Sequence, residues 1–91
     1  TYIGDQIVIP HARSVSVRTA SLVYVRLKEP VAWNVSEQAK YIFNIAVPEK
    51  NDENDHLKIL SSVARRLMDE SKRPVFFLSK SREMIVSALL Q

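Results

Sequence analysis

The hydrophobic pattern changes rhythm once along the chain. Up to Val47 the apolar residues come in short runs or alternate with polar ones; beyond Asp55 they recur at three- and four-residue spacing. Ile7-Val8-Ile9 is a run of β-branched residues and reads as a short buried strand. Pro10 has no N–H to give a sheet ladder, so pairing is expected to stop there and lift His11 out at a strand end. Ahead of this strand, Thr1 to Asp5 is an extended approach and a bend, with the only glycine, Gly4, at the bend.

Arg13 to Ala20 is polar, with Val15 and Val17 set among serines, and fits either a loop or a weak edge strand. Ser21 to Leu27 predicts a second strand, apolar on both faces and therefore central. Lys28-Glu29-Pro30 predicts a turn, and Val31-Ala32-Trp33 a hydrophobic plug with Trp33 as core cover. A third strand is expected over Ala39 to Val47, with Tyr41, Phe43, Ile45 and Val47 on one face and Ile42, Asn44 and Ala46 on the other. Asn44 is expected there as a hydrogen-bonded polar residue rather than a ligand. Pro48 ends this strand, and a charged loop runs to Asp55, a good helix N-cap. Leu57, Leu60, Val63, Ala64, Leu67 and Met68 then form the apolar stripe of a helix. Arg73 to Leu78 has strand propensity, yet Pro74 also suits a first helical turn. Ser81 caps a last helix, Arg82 to Leu90, with Glu83 in its first turn and Ile85, Ala88 and Leu89 inward. Strands first and helices later, joined by a strand-to-helix crossover, give the α/β class with a mixed β-sheet flanked by helices.

Composition narrows the function classes. With 91 residues, 46% hydrophobic and 25% charged, the chain has the make-up of one small soluble domain. It has no cysteine, which fits a reducing compartment. The net charge of +3 comes from thirteen basic residues that form no run, so no nucleic acid is expected as partner. No apolar stretch approaches membrane-spanning length. The chain opens almost directly on a strand, and a preceding portion is expected.

Candidate chemistry rests on two histidines, His11 and His56. Imidazole is the side chain best suited to exchange a proton or a phosphoryl group near neutral pH. His56 falls in the first turn of a helix that follows a strand, where unpaired backbone N–H groups attract anions. If the strands at Ile7 and Ala39 run parallel, both histidines face the carboxyl edge of the sheet. They would then aim at one small anion together with the helix dipole. Other chemistries find little support. Two histidines fall short of a closed zinc site, one glycine builds no phosphate loop, and no serine lies in a nucleophile elbow.

Thr1-Tyr2-Ile3-Gly4 followed by Ile7-Val8-Ile9-Pro10-His11-Ala12-Arg13 resembles the active-site segment of mannitol/fructose-type enzyme IIA domains of the bacterial phosphoenolpyruvate:sugar phosphotransferase system. Leu27 to Trp33, Phe43 to Pro48, Asp55 to Leu60 and, more weakly, Ser79 to Glu83 resemble the family's later landmarks, in the same order. The resemblance covers essentially all of residues 1–91 as a single enzyme IIA-like domain, roughly the last two-thirds of the family's domain and lacking its N-terminal helices. It implies that His11 is phosphorylated by the phosphocarrier protein HPr and passes the group to a cysteine of an enzyme IIB domain. His56 matches the second active-site histidine, a supporting donor. It implies no cofactor and no metal, a membrane enzyme IIC as an indirect partner, and a cytoplasmic location on the inner side of the transporter. It also sides with a helix for Arg73 to Leu78. An arginine that binds the phosphoryl group in the family precedes this sequence, and the family gives Arg13 no such role. The same resemblance fits a regulatory receiver, nitrogen-related or fused to a transcription activator, and a non-catalytic interaction module.

Overall fold

A computed structural model describes residues 2–49 and 53–91, the side chains of 53–57 and 59 excepted. The chain divides into two compact units, Thr1–Asn51 and Asp52–Gln91.

The first unit is a mixed β-sheet. Its strands are β1 (Ile7–Val8), β2 (His11–Ser14), β3 (Ser21–Ala32) and β4 (Gln38–Pro48). β1 and β2 both pair parallel to β4, Ile7 opposite Tyr41 and His11 opposite Ile45. β3 pairs antiparallel to β4 on its other side. β4 is thus the central strand, and the expectation that the Ser21 segment is central is corrected. The reason is visible along β3, where exposed and half-buried residues alternate as on a strand with one solvated face. β4 itself buries Ala39, Phe43, Ile45 and Val47, one side of the pleat, while Asn44 on the opposite side is exposed and meets solvent rather than an inner partner.

Three further expectations are revised. Pairing does not stop at Pro10. Its carbonyl accepts from the Ile45 N–H at 2.9 Å, and the ladder resumes at His11 in unchanged register. A proline removes a donor but leaves the acceptor, so one rung is lost and no register shift is forced. Lys28-Glu29-Pro30 is not a turn: β3 continues through it. Leu27 to Pro30 together oppose the single residue Lys40, a larger than ordinary bulge between Arg26 and Val31 where Pro30 costs no ladder bond. Trp33 is 41% exposed rather than covering the core, because it opens the hairpin loop, where the Trp33 and Asn34 N–H groups both donate to the Glu37 carbonyl. The bend at Gly4 is as expected, with φ +95°. The left-handed path continues through Asp5 (+51°) and Gln6 (+63°), a conformation that non-glycine residues adopt at a cost.

The second unit holds α1 (Glu53–Met68), a one-turn 3₁₀ helix at Glu70–Lys72, α2 (Arg73–Leu78) and α3 (Arg82–Leu90). α1 begins two residues before Asp55, which therefore lies inside the first turn instead of capping it. Val63 and Leu67 are buried as the stripe predicts, but Met68 at the helix end is 59% exposed. The Arg73–Leu78 segment is a helix with Pro74 in its first turn and Phe76 fully buried. Ser81 caps α3 by accepting from the Met84 N–H at 3.2 Å. Two arginines close helix ends. The buried Arg73 donates from Nε to the Leu67 carbonyl at 3.0 Å. Arg66 donates to the Ser62 carbonyl and hydroxyl and to the Leu90 carbonyl.

Phe43 is fully buried on the central strand and stacks on Tyr24 of β3, ring centroids 4.4 Å apart. Phe43→Ala should therefore destabilise the protein by about 3–5 kcal/mol in urea unfolding. Burial, opposed in part by the nearby Arg26, pushes the Tyr24 phenol up to about 12. Between roughly pH 10, where the unfolded phenol ionises, and about 12, only the folded state keeps this proton, so stability should fall as pH rises through that window. The corresponding part of the pH dependence should vanish in Tyr24→Phe.

Candidate functional site

His11 is the first residue of β2 and is exposed. The three residues before Pro10 explain how it is held. Ile7 and Val8 are fully buried and Ile9 is 2% exposed, so the backbone enters the Pro-His pair from an anchored segment. Residues paired across a ladder project to the same side. His11 and Arg13 consequently share the side of Ile45 and Val47, the buried side of β4, at a point where that side opens to solvent. The expectation that the strands at Ile7 and Ala39 run parallel holds.

Among the described residues the ring of His11 has one hydrogen-bonding neighbour. Its Nδ1 stands 3.5 Å from the Ile9 carbonyl oxygen, at the outer limit of a hydrogen bond. In the neutral ring this contact favours the proton on Nδ1 and leaves the lone pair on Nε2. An exposed imidazole with a lone pair on its outer nitrogen is a competent nucleophile toward an incoming electrophile.

Arg13 follows two residues later and turns its guanidinium to the Glu49 carbonyl, Nε at 3.2 Å and Nη2 at 2.9 Å. The Glu49 N–H donates to the Ser14 carbonyl at 3.2 Å, so this residue is held from β2 through both its N–H and its carbonyl. This role was not legible from sequence, because it depends on the register that brings Arg13 opposite Val47. His56 lies by its backbone in the first turn of α1, as its position after the crossover predicts, and its side chain lies outside the described residues. Among the described residues no three of His, Asp and Glu gather closely enough to hold a metal ion. No helix among them is long and apolar enough to cross a membrane.

Comparison with known proteins gives a consistent result. The family model described as "Phosphoenolpyruvate-dependent sugar phosphotransferase system, EIIA 2" matches residues 1–91. A fructose-specific EIIA component of the phosphotransferase system from Haloferax volcanii is 32% identical over 93 residues, covering 100% of this chain and 60% of that protein. Multiphosphoryl transfer protein 2 of Escherichia coli is 29% identical over 89 residues, 98% of this chain and 11% of that protein. Among solved structures, the nitrogen regulatory protein IIA-Ntr from Neisseria meningitidis superposes with a TM-score of 0.82 at 30% identity, over 94% of this chain and 60% of that one. The chain therefore spans three-fifths or less of the length of these relatives. With the match running from the first residue to the last and the Pro-His pair seated on a parallel β-ladder, the chain belongs to the EIIA 2 family of the phosphoenolpyruvate-dependent sugar phosphotransferase system.

Proposed function

We propose that the chain acts as one IIA-type unit, a phosphoryl carrier in sugar uptake, with His11 as the residue that is phosphorylated. The observation that carries this reading is the exposed His11 imidazole, set after Pro10 on an anchored strand, in a chain matched by the family over its whole length. In the first step Nε2 attacks the phosphorus of a phosphohistidine on HPr. The new N–P bond forms as the old one breaks, and the electron pair of the broken bond returns to the HPr imidazole. In the second step a cysteine thiolate of an enzyme IIB domain attacks the same phosphorus, and the pair of the His11–P bond returns to Nε2. Both steps are positioning and electrostatics, with no metal or nucleotide required. Both partners are proteins, and the cytoplasmic face of a membrane enzyme IIC is the natural place for this exchange.

His56 supports His11 as a hydrogen-bond donor to the phosphoryl oxygens in this scheme, as the family resemblance implies. A second use of the same chemistry, a phosphorylation signal rather than a transport step, is favoured by one observation, the likeness to the nitrogen regulatory protein IIA-Ntr. Onward transfer to a IIB cysteine separates the two uses, since a signal receiver has no need of it.

Incubation with phosphoenolpyruvate, enzyme I and HPr should label the protein with acid-labile, base-stable phosphate, and His11→Ala should abolish the label. Normal labelling of His11→Ala would refute the assignment. His56→Ala should still accept phosphate but lose about 1.5–3 kcal/mol of stabilisation of the charged group, read as slower onward transfer or faster hydrolysis of the phosphorylated form. His56→Gln should recover part of that loss. Complete loss of labelling in a folded His56→Ala protein would assign His56 a larger role than a supporting donor.

A further inference from the structure

β2 is four residues long, and none of its side chains is buried. A short edge segment ordinarily stays on its sheet through apolar side chains tucked beneath it, and here that contribution is missing. Backbone rungs and polar contacts must hold it instead. At its start the Pro10 carbonyl accepts from the Ile45 N–H at 2.9 Å. At its end the Ser14 carbonyl accepts from the Glu49 N–H at 3.2 Å. The Arg13 fork then takes the Glu49 carbonyl with two N–H groups, at 3.2 and 2.9 Å, one residue beyond the end of β4. A planar fork fixes orientation as well as distance, which a single flexible donor does not.

We infer that Arg13 is a positioning residue for His11: by gripping the Glu49 carbonyl it pins β2 to the end of β4 and holds the imidazole two residues away in place. The inference rests on the proposed role of His11 as phosphoryl acceptor. In-line transfer needs the attacking nitrogen in a near-attack position, and a displacement on the order of 1 Å can cost about a hundredfold in rate. Arg13 reaches no reacting atom in this scheme. It acts through the strand that carries both residues, on the same side of the sheet. The Glu49 acceptor belongs to the backbone, so the contact between them is opened by substituting Arg13.

The test compares wild type, Arg13→Ala and Arg13→Lys by rapid-quench phosphorylation at varied phospho-HPr concentration, together with amide hydrogen exchange of the unphosphorylated proteins. Arg13→Ala should lower the maximal transfer rate by roughly five- to tenfold, part of the hundredfold that a displacement on the order of 1 Å can cost. The phospho-HPr concentration giving half that rate should stay within about twofold of wild type. Exchange should quicken at Ala12 to Ser14 and at Glu49, with the buried β1 amides unchanged. Arg13→Lys, which keeps one donor, should recover part of the rate and of the protection. A wild-type maximal rate in Arg13→Ala overturns the inference. So does a loss confined to half-saturation, which would put Arg13 in contact with the partner. Uniformly faster exchange throughout the protein also overturns it, since it would make the residue a stabiliser of the whole fold. Wild type that takes no label refutes the acceptor role of His11 instead, while the exchange comparison still reports whether Arg13 pins β2.

Discussion

Pro10 gives the ladder an acceptor and no donor, and the sheet is built so that this is enough. The offset between the first segment and β4 is the same at Ile7–Tyr41 as at His11–Ile45, so the two short strands are one line interrupted by a single missing rung. What keeps the line in register is burial upstream: Ile7, Val8 and Ile9 leave almost no surface to solvent. Ile7 and Ile9 lie on the side of His11 and Val8 on the other, so a slip by one residue would exchange their faces and turn His11 to the opposite side of the sheet. The orientation of the imidazole is thus set by hydrophobic burial several residues away, and the missing N–H frees the backbone just ahead of it.

Four helix ends of the second unit are satisfied by side chains from its own sequence. The Leu67 and Leu90 carbonyls, one at the end of α1 and one at the end of α3, are each taken by an arginine. Ser81 and Asp69 accept from the first turns of α3 and of the 3₁₀ helix. Cations at C-termini and short polar acceptors at N-termini are the arrangement the helix dipole favours. Arg73 is the most telling of these, because a buried guanidinium is costly unless its donors find acceptors, and the free carbonyls of an ending helix are ready acceptors.

Much of this was legible in the sequence. The β-branched run before Pro10, the alternation over Tyr41 to Val47 and the helical spacing that includes Val63 and Leu67 each reflect a burial pattern, and burial is what periodicity records. The misreadings share a cause. Lys28-Glu29-Pro30 carries turn residues, yet the long pairing of β3 with β4 on either side carries the strand across them as a bulge. Trp33 and Met68 are apolar by type, but each sits where its element ends, and a large apolar residue at the end of an element is often left in solvent. Arg73 to Leu78 carries strand propensity together with a proline that suits a first helical turn, so propensity leaves it open, and the resemblance alone points to the helix that forms. The contact of Arg13 with Glu49 joins residues thirty-six apart and exists only through strand register, which no local pattern encodes.

The exposed side of β3 has a consequence for handling the protein. Among the described residues β3 pairs with β4 alone, and its run Leu22-Val23-Tyr24-Val25 contains neither charge nor proline. Val23 is 56% and Val25 39% exposed. An uncharged, β-prone run on an unpaired edge is the kind of template along which separate molecules join into extended sheets. Arg26 and the bulge from Leu27 to Pro30, which carries Lys28, act as gatekeepers, breaking the flat edge and placing charge beside it. Solubility at high concentration therefore depends on a few residues at the middle of one strand, quite apart from anything the histidines do.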